Sequence, residues 1–233
     1  MGAPLPAGTS PVAGRDWGEW FRTHTREVGY AAAALAIVAG AVWLYVTSQA
    51  RKESFAAQAL TQARSEAEAG NLPLAANDLS RLIDRYGGTR AADEAGVLLN
   101  EVRLIQGQTD IAVKELQTFV AKSHPRYVLA SAWSLLGGGL ENQKKFKDAG
   151  QAYRKASELA AHDFLKAQYL LDAGRVLAAA GDSTGARAAF GEVLEKYGEL
   201  AQAAEARVRM GEVGGTVPAA KPKAASSRPA SQG

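Results

Sequence analysis

The pattern in this sequence closest to a catalytic motif is Gly181-Asp-Ser-Thr-Gly185. It matches G-x-S-x-G, in which a strand turns sharply into a helix and exposes a nucleophilic serine. The preceding residues 170–180 are predicted to be helical instead, so the pentapeptide falls on a turn between two helices. A serine hydrolase that uses Ser183 is therefore a remote alternative, and we expect no enzyme activity.

Two other patterns could bind a ligand. Gly137-Gly-Gly139 suggests a phosphate loop, but no Lys-Ser or Lys-Thr follows at the spacing that such a loop needs. Gly137 is expected to serve helix packing, whereas its two neighbours suggest only looseness or a kink. The histidines His24, His124 and His162 lack the H-E-x-x-H spacing of zinc sites. We expect no metal, no cofactor and no small-molecule substrate.

Composition limits the classes of protein that fit. The chain has 233 residues, of which 47% are apolar, enough for one domain, an anchor and flexible ends. It has no cysteine, which excludes disulfides and thiolate metal sites. Its net charge of +3 matches Lys221, Lys223 and Arg228 alone, and the charges of residues 51–213 balance. A neutral domain offers no electrostatic footprint for nucleic acid, so we expect none to bind.

Residues 28–50 carry no charged side chain and are predicted to form a transmembrane helix. At 1.5 Å per residue they rise roughly 34 Å, which exceeds the hydrocarbon core of about 30 Å. A cleaved signal peptide remains an alternative because Ser48-Gln49-Ala50 resembles a cleavage site, but the apolar stretch is longer than an h-region. Basic residues flank the stretch equally on both sides, so charge does not set the orientation.

A repeated tract follows the apolar stretch. Each copy ends in an alanine, and the alanines stand 37 residues apart at Ala75, Ala112, Ala149 and Ala186. A large side chain follows four residues after each alanine, at Leu79, Leu116, Tyr153 and Phe190. This spacing puts each pair on one helical face, which predicts a buried face. Gly70, Gly107 and Gly181 open the first, second and fourth tracts and are expected to end helices in a left-handed conformation, whereas Lys144 opens the third tract.

These features resemble the tetratricopeptide repeat family. The third repeat matches best, with Trp133, Leu136, Gly137, Phe146, Ala149, Tyr153 and Ala156. The family's period is about 34 residues, and the extra residues would fall between helix pairs. The resemblance implies an all-α fold: a single N-terminal transmembrane helix, then a right-handed α-solenoid of about four tetratricopeptide-like helix pairs plus a capping helix over residues 201–212.

The layout is also similar to the ancillary SecYEG translocon subunit (YfgM-like) family. An aromatic and basic tract, Trp20-Phe-Arg22, precedes a single apolar span that ends Trp-Leu-Tyr, and helical repeats follow. This resemblance implies a scaffold in the bacterial inner membrane, with periplasmic repeats and with translocon subunits, periplasmic chaperones or exported clients as partners. Residues 86–95 also resemble segments of the Tol–Pal cell-division coordinator and of outer-membrane assembly lipoproteins. An assembly or coordination factor for such a machine is the alternative.

The expected organisation has five parts: a disordered tail (1–14), a juxtamembrane segment (15–27), the transmembrane helix (28–50), the repeat domain (51–213) and a second disordered tail (214–233). A partner protein would bind first-helix side chains on the concave face. By repeat register the candidates are Arg64, Glu101, Glu141, Asn142, Asp172 and Arg175.

Overall fold

Residues 25–216 are described by a computed structural model, in which every regular element is an α-helix. The expectations for residues 1–14, for His24, for most of the juxtamembrane segment and for the tail beyond Thr216 lie outside these residues. The helices are α1 (Thr25–Glu68), α2 (Leu72–Tyr86), α3 (Arg90–Ile105), α4 (Thr109–Val120), α5 (Arg126–Asn142), α6 (Phe146–Leu159), α7 (Asp163–Ala179), α8 (Ser183–Lys196) and α9 (Gln202–Glu212).

The N-terminal compact unit ends at Arg51 and contains the apolar part of α1. This helix is long and apolar enough to cross a membrane, and none of its apolar window is buried in the protein. A core helix would instead bury such side chains. The hydroxyl of Thr47 donates to the carbonyl of Trp43 at 2.8 Å and lies 3.1 Å from that of Leu44. The Thr47 hydroxyl is thus satisfied inside the helix.

From Lys52 onward the chain forms a second compact unit, a solenoid of four helix pairs followed by α9. The last turns of α1 pair with α2, and the pairs α3–α4, α5–α6 and α7–α8 follow. Three apolar clusters run through it: one from α1 to α3, one from α4 to α8, and one joining α7, α8 and α9. The last helix buries Ala203, Ala206 and Met210 and so closes the end of the core, as expected for a cap.

The predicted alanine register is confirmed. Ala75, Ala112, Ala149 and Ala186 are each 0% exposed, and the large side chains four residues later are all buried. Side chains seven residues after the alanines are also buried, except for Phe119, which is half-buried and stacks on His124 with ring centroids 3.9 Å apart. Each second helix therefore turns one continuous apolar face toward the core.

The turn inside each pair has one backbone conformation. Gly70, Gly107 and Gly181 have φ values of 82°, 78° and 75°, and Lys144 has a φ of 60°. In each turn the next residue's N–H reaches back to a carbonyl of the first helix, for example from Lys145 to Leu140 at 2.9 Å. This is the Schellman pattern that ends helices. Three turns meet its left-handed requirement with glycine, and the third pair meets it with lysine.

Glycines in the first helices let aromatic rings of the second helices approach the backbone. A Cβ on Gly137 would lie 2.9 Å from the ring of Tyr153, and a Cβ on Gly174 would collide with the ring of Phe190. The looseness suggested for the neighbours of Gly137 is wrong for Gly139. A Cβ there would meet Val113 of the preceding pair at 2.7 Å. These glycines are close-packed positions.

The turn between the first two pairs is fixed to the start of the solenoid. Lys52 donates to the carbonyl of Gly87 at 2.9 Å. The carboxylate of Glu53 accepts from the backbone N–H groups of Arg90 and Ala91 at 2.9 and 3.1 Å, while Thr89 caps the same helix. A carboxylate at a helix N-terminus is favoured by both hydrogen bonding and the helix dipole.

Lys144→Gly should stabilise the protein. A non-glycine residue in the left-handed conformation costs about 1 kcal/mol, which glycine avoids. We expect the free energy of unfolding to rise by about that amount in urea denaturation. The matched control is Lys155→Gly at an exposed position in the interior of α6, which should lower the free energy of unfolding by about 0.5–1 kcal/mol. A loss of stability for both variants would contradict the assignment of the turn.

Gly174→Ala should destabilise the protein by about 1–3 kcal/mol because its methyl group would collide with the buried ring of Phe190. Gly191→Ala is the control, since its Cβ would lie 3.6 Å from Met210, an ordinary contact. That change should raise stability by about 0.5–1 kcal/mol through lost backbone freedom in the unfolded chain. Thermal unfolding of both variants checks the contrast, and equal effects would refute it.

Candidate partner-binding groove

The residues considered first for catalysis have structural roles. Ser183 is the first residue of α8 and follows a turn between two helices, so the strand of a nucleophile elbow is missing. The carboxylate of Asp182 accepts from the N–H of Gly185 at 2.9 Å, which caps the helix. Within residues 25–216 no group of three His, Asp or Glu side chains is placed to hold a metal. His124 instead lies 3.0 Å from Asp93.

An open groove of about 560 Å³ lies on the face formed by first helices. The end of α1, helix α3 and the start of α5 form its walls, with Leu72 of α2 at one side. Its apolar lining is Leu72, Val97, Leu98, Ile105, Tyr127 and Val128, together with Ala67 and Val102. Its polar lining is Arg64, Glu68, Glu94, Glu101 and Ser131. The groove thus combines an apolar surface with three carboxylates and one guanidinium.

Glu94 links two walls of the groove. Its carboxylate accepts from the hydroxyl of Tyr127 at 2.9 Å and lies 4.0 Å from the guanidinium of Arg64. Burial, followed by the hydrogen bond to Glu94, raises the pKa of Tyr127 above its ordinary value. The phenol therefore stays protonated and keeps donating its hydrogen bond across the wall.

Glu141, Asp172 and Arg175 form a second cluster further along the solenoid. Arg175 donates to both carboxylate oxygens of Glu141, with the longer of the two contacts at 2.9 Å, and lies 3.5 Å from Asp172. The hydrogen bond from Arg175 lowers the pKa of Glu141 below its ordinary value. Burial raises the pKa of the Asp172 carboxyl, whereas hydrogen bonds from Gln168 and Arg175 offset part of that rise. The hydroxyl of Tyr153 also lies 3.4 Å from the carboxylate of Glu141.

Five of the six candidate residues therefore separate into two sets. Arg64 and Glu101 line the open groove, whereas Glu141, Asp172 and Arg175 pair with one another. Asn142 is exposed at the last residue of α5 and lines neither site. A bidentate arginine–carboxylate pair already satisfies its own groups. The two sets consequently offer different chemistry to a partner.

Sequence reasoning missed Glu94, Leu98, Ile105 and Tyr127, although the repeat register could have found two of them. Leu98 stands 74 residues, or two repeat periods, before the candidate Asp172, and Ile105 stands 37 residues before the candidate Asn142. Both positions are apolar, and the sequence criterion for a binding residue was a polar or charged side chain. Applying the same register to apolar residues would have shown that these two positions are apolar in the second pair.

A second cleft of about 610 Å³ lies between α4 and α6, above α5. Half-buried Trp133 lies at its floor with Leu136 and Leu140, and its rim carries both signs of charge. The charged rim residues are Asp148, Arg154, Lys155 and Glu158. Lys155 and Glu158 pair with each other at 2.7 Å, so this rim is partly neutralised internally.

The family assignment follows from residues 18–213, which match the model of the tetratricopeptide repeat-like domain. The chain belongs to that family. A search of curated proteins gave no match. Among solved structures, a chain of Pseudomonas aeruginosa PilF is similar, with 18% identity over 71% of this chain and 79% of that chain and a TM-score of 0.49. The all-helical tetratricopeptide-like solenoid predicted from the sequence is confirmed, and membership is consistent with a protein-interaction scaffold.

Arg175→Gln should destabilise the domain more at pH 7 than in acid. Because Arg175 lowers the pKa of Glu141, the pair's contribution is present above the ordinary carboxyl pKa of 4.5 and is lost as pH falls through the lowered value. Arg175 is 40% exposed, so solvent screening limits the loss to about 1 kcal/mol at pH 7. Urea denaturation at pH 7 and pH 3.5 measures it. Arg81→Gln, at a guanidinium 69% exposed, should change little at either pH, and a pH-independent loss for Arg175→Gln would contradict the pairing.

Proposed function

We propose that this protein is a membrane-anchored, protein-binding scaffold of the bacterial envelope that works with the protein-export translocon and with periplasmic chaperones or exported clients. The observation that carries the binding role is the open groove between α1, α3 and α5, with its exposed apolar side chains. Ile105 is 64% exposed and Tyr127 is 41% exposed on this face. Exposed apolar surface rimmed by polar groups is typical of interaction sites. The link to the translocon is supported only by the layout of the sequence.

The proposed arrangement uses residues 28–50 as the membrane anchor and residues 51–213 as the binding domain, with the repeats on the periplasmic side of the inner membrane. Support for the anchor comes from the exposed apolar side chains of α1, among them Leu35, Ile37 and Leu44. In water such a surface would be unfavourable by about 25 cal/mol per Å². A bilayer removes that cost.

Protease added to spheroplasts with an intact inner membrane tests the location. If the repeats are periplasmic, the protease should digest them while a cytoplasmic marker protein stays intact. Protection of the repeats until the membrane is dissolved would place them in the cytoplasm. The scaffold would then serve a different compartment, and the translocon-linked role would fail.

Photo-crosslinking from the groove tests the binding role. A photoreactive residue at Ser131, which lines the groove, should cross-link the full chain to a translocon subunit, a periplasmic chaperone or an exported client. The same residue at exposed Arg81 on α2 is the matched control and should give no such product. Cross-links from Ser131 to Tol–Pal or outer-membrane assembly components would favour an assembly factor instead. Equal labelling from both positions would refute the groove as the binding site.

A further inference from the structure

The charges that line the groove are unequal. Its carboxylates are Glu68, Glu94 and Glu101, against the single guanidinium of Arg64. Arg64 lies nearest Glu94, while neither Glu68 nor Glu101 forms an ion pair with any residue from 25 to 216. Both of these side chains belong to exposed residues. The groove therefore carries two carboxylates that are available to a cation from outside the domain.

The apolar surface lies beside these carboxylates. Ile105 is one turn beyond Glu101 on α3, and Leu98 is one turn before it, so all three share a helical face. Leu72 lies across the groove at the start of α2, near Glu68 at the end of α1. A ligand that covers Leu98 and Ile105 must therefore pass within reach of Glu101.

The same face changes chemistry further along the solenoid. Arg175 stands 74 residues after Glu101, which is two repeat periods, and Asp172 stands two periods after Leu98. There the carboxylates of Glu141 and Asp172 already share the guanidinium of Arg175. In the fourth pair Arg175 thus serves both carboxylates. The equivalent residue of the first pair is Arg64, which lies 4.0 Å from Glu94, and Glu68 and Glu101 are left without an ion pair among residues 25–216.

We infer that the groove binds a protein segment in which apolar side chains alternate with or adjoin lysine or arginine. This inference rests on the proposed function and specifies the chemistry of its partner. Apolar side chains of the segment cover Leu98 and Ile105, and its cation pairs with Glu101 or Glu68. A volume of about 560 Å³ is suited to a short run of side chains. Acidic chain ends and anionic lipid headgroups are disfavoured by the same carboxylates.

Fluorescence anisotropy of the full chain in nanodiscs of zwitterionic lipid tests this. The probe is an eight-residue peptide that alternates isoleucine with lysine, and empty nanodiscs give the background. We expect saturable binding, with about tenfold weaker affinity for a peptide carrying glutamate in place of lysine and for one carrying serine in place of isoleucine. Equal affinity for the lysine and glutamate peptides would overturn the inference.

Charge reversal locates the site. Glu101→Lys and, independently, Glu68→Lys should each weaken binding of the lysine peptide by about tenfold, because an attraction becomes a repulsion. Glu195→Lys, at an exposed position of α8, is the matched control and should leave affinity unchanged. Ile105→Ser should also weaken binding. Unchanged affinity in the Glu101 and Glu68 variants, with native helix content by circular dichroism, would overturn the site.

The chain's own residues 217–233 are a competing occupant because they include Lys221, Lys223 and Arg228. If the inference is right, a chain that ends at Thr216 binds the lysine peptide as well as the full chain does. Binding about tenfold tighter after truncation would show that this tail occupies the groove, and would overturn an external partner.

The experiments distinguish failure of this inference from failure of the proposed function. Cross-links from Ser131 to a partner, without preference for the lysine peptide, would leave the scaffold intact and refute only the basic chemistry. If Ser131 gives no cross-links and the lysine peptide does not bind preferentially, the scaffold role itself is refuted.

Discussion

The close approach of two helix backbones within each pair is the constraint on which the rest of the domain depends. At the point of contact the second helix carries an alanine with no exposed surface, at Ala75, Ala112, Ala149 and Ala186. In three of the pairs the first helix also carries a glycine beneath an aromatic ring, at Gly96, Gly137 and Gly174. A larger side chain at these points would push the helices apart, since protein interiors are close-packed. This spacing aligns the first helices side by side along one face.

The turn within each pair fixes how the two helices meet. One left-handed residue reverses the chain, and a backbone hydrogen bond from the following residue closes the turn. The same geometry occurs whether glycine or Lys144 occupies that position. The conformation is therefore imposed by the packing of the pair, because lysine adopts it against its own preference. Packing energy across the pair offsets that local cost.

The same register positions serve two purposes along the first-helix face. In the second pair they present Leu98, Glu101 and Ile105 to an open groove, and in the fourth pair they present Asp172 and Arg175, which are already paired. A bidentate ion pair stiffens the face and leaves little for a ligand to satisfy. An apolar groove with unpaired carboxylates instead leaves groups that a ligand can satisfy. The repeats are thus alike in backbone and differ in what they offer to a partner.

The sequence by itself determined the helix pairs, their turns and their buried faces. A period of 37 residues and the spacing of four between Ala75 and Leu79 are local, and helical geometry converts such spacing directly into a face. Tertiary structure alone decided which polar residues are free. Glu101 and Glu141 looked equivalent as charged first-helix residues, but Glu141 meets Arg175 from a helix 34 residues further along the chain. Whether a charged side chain forms an ion pair depends on contacts between helices that are distant in sequence. Local periodicity carries no information about such contacts. For the same reason only the structure showed that Val113 of the preceding pair packs against Gly139.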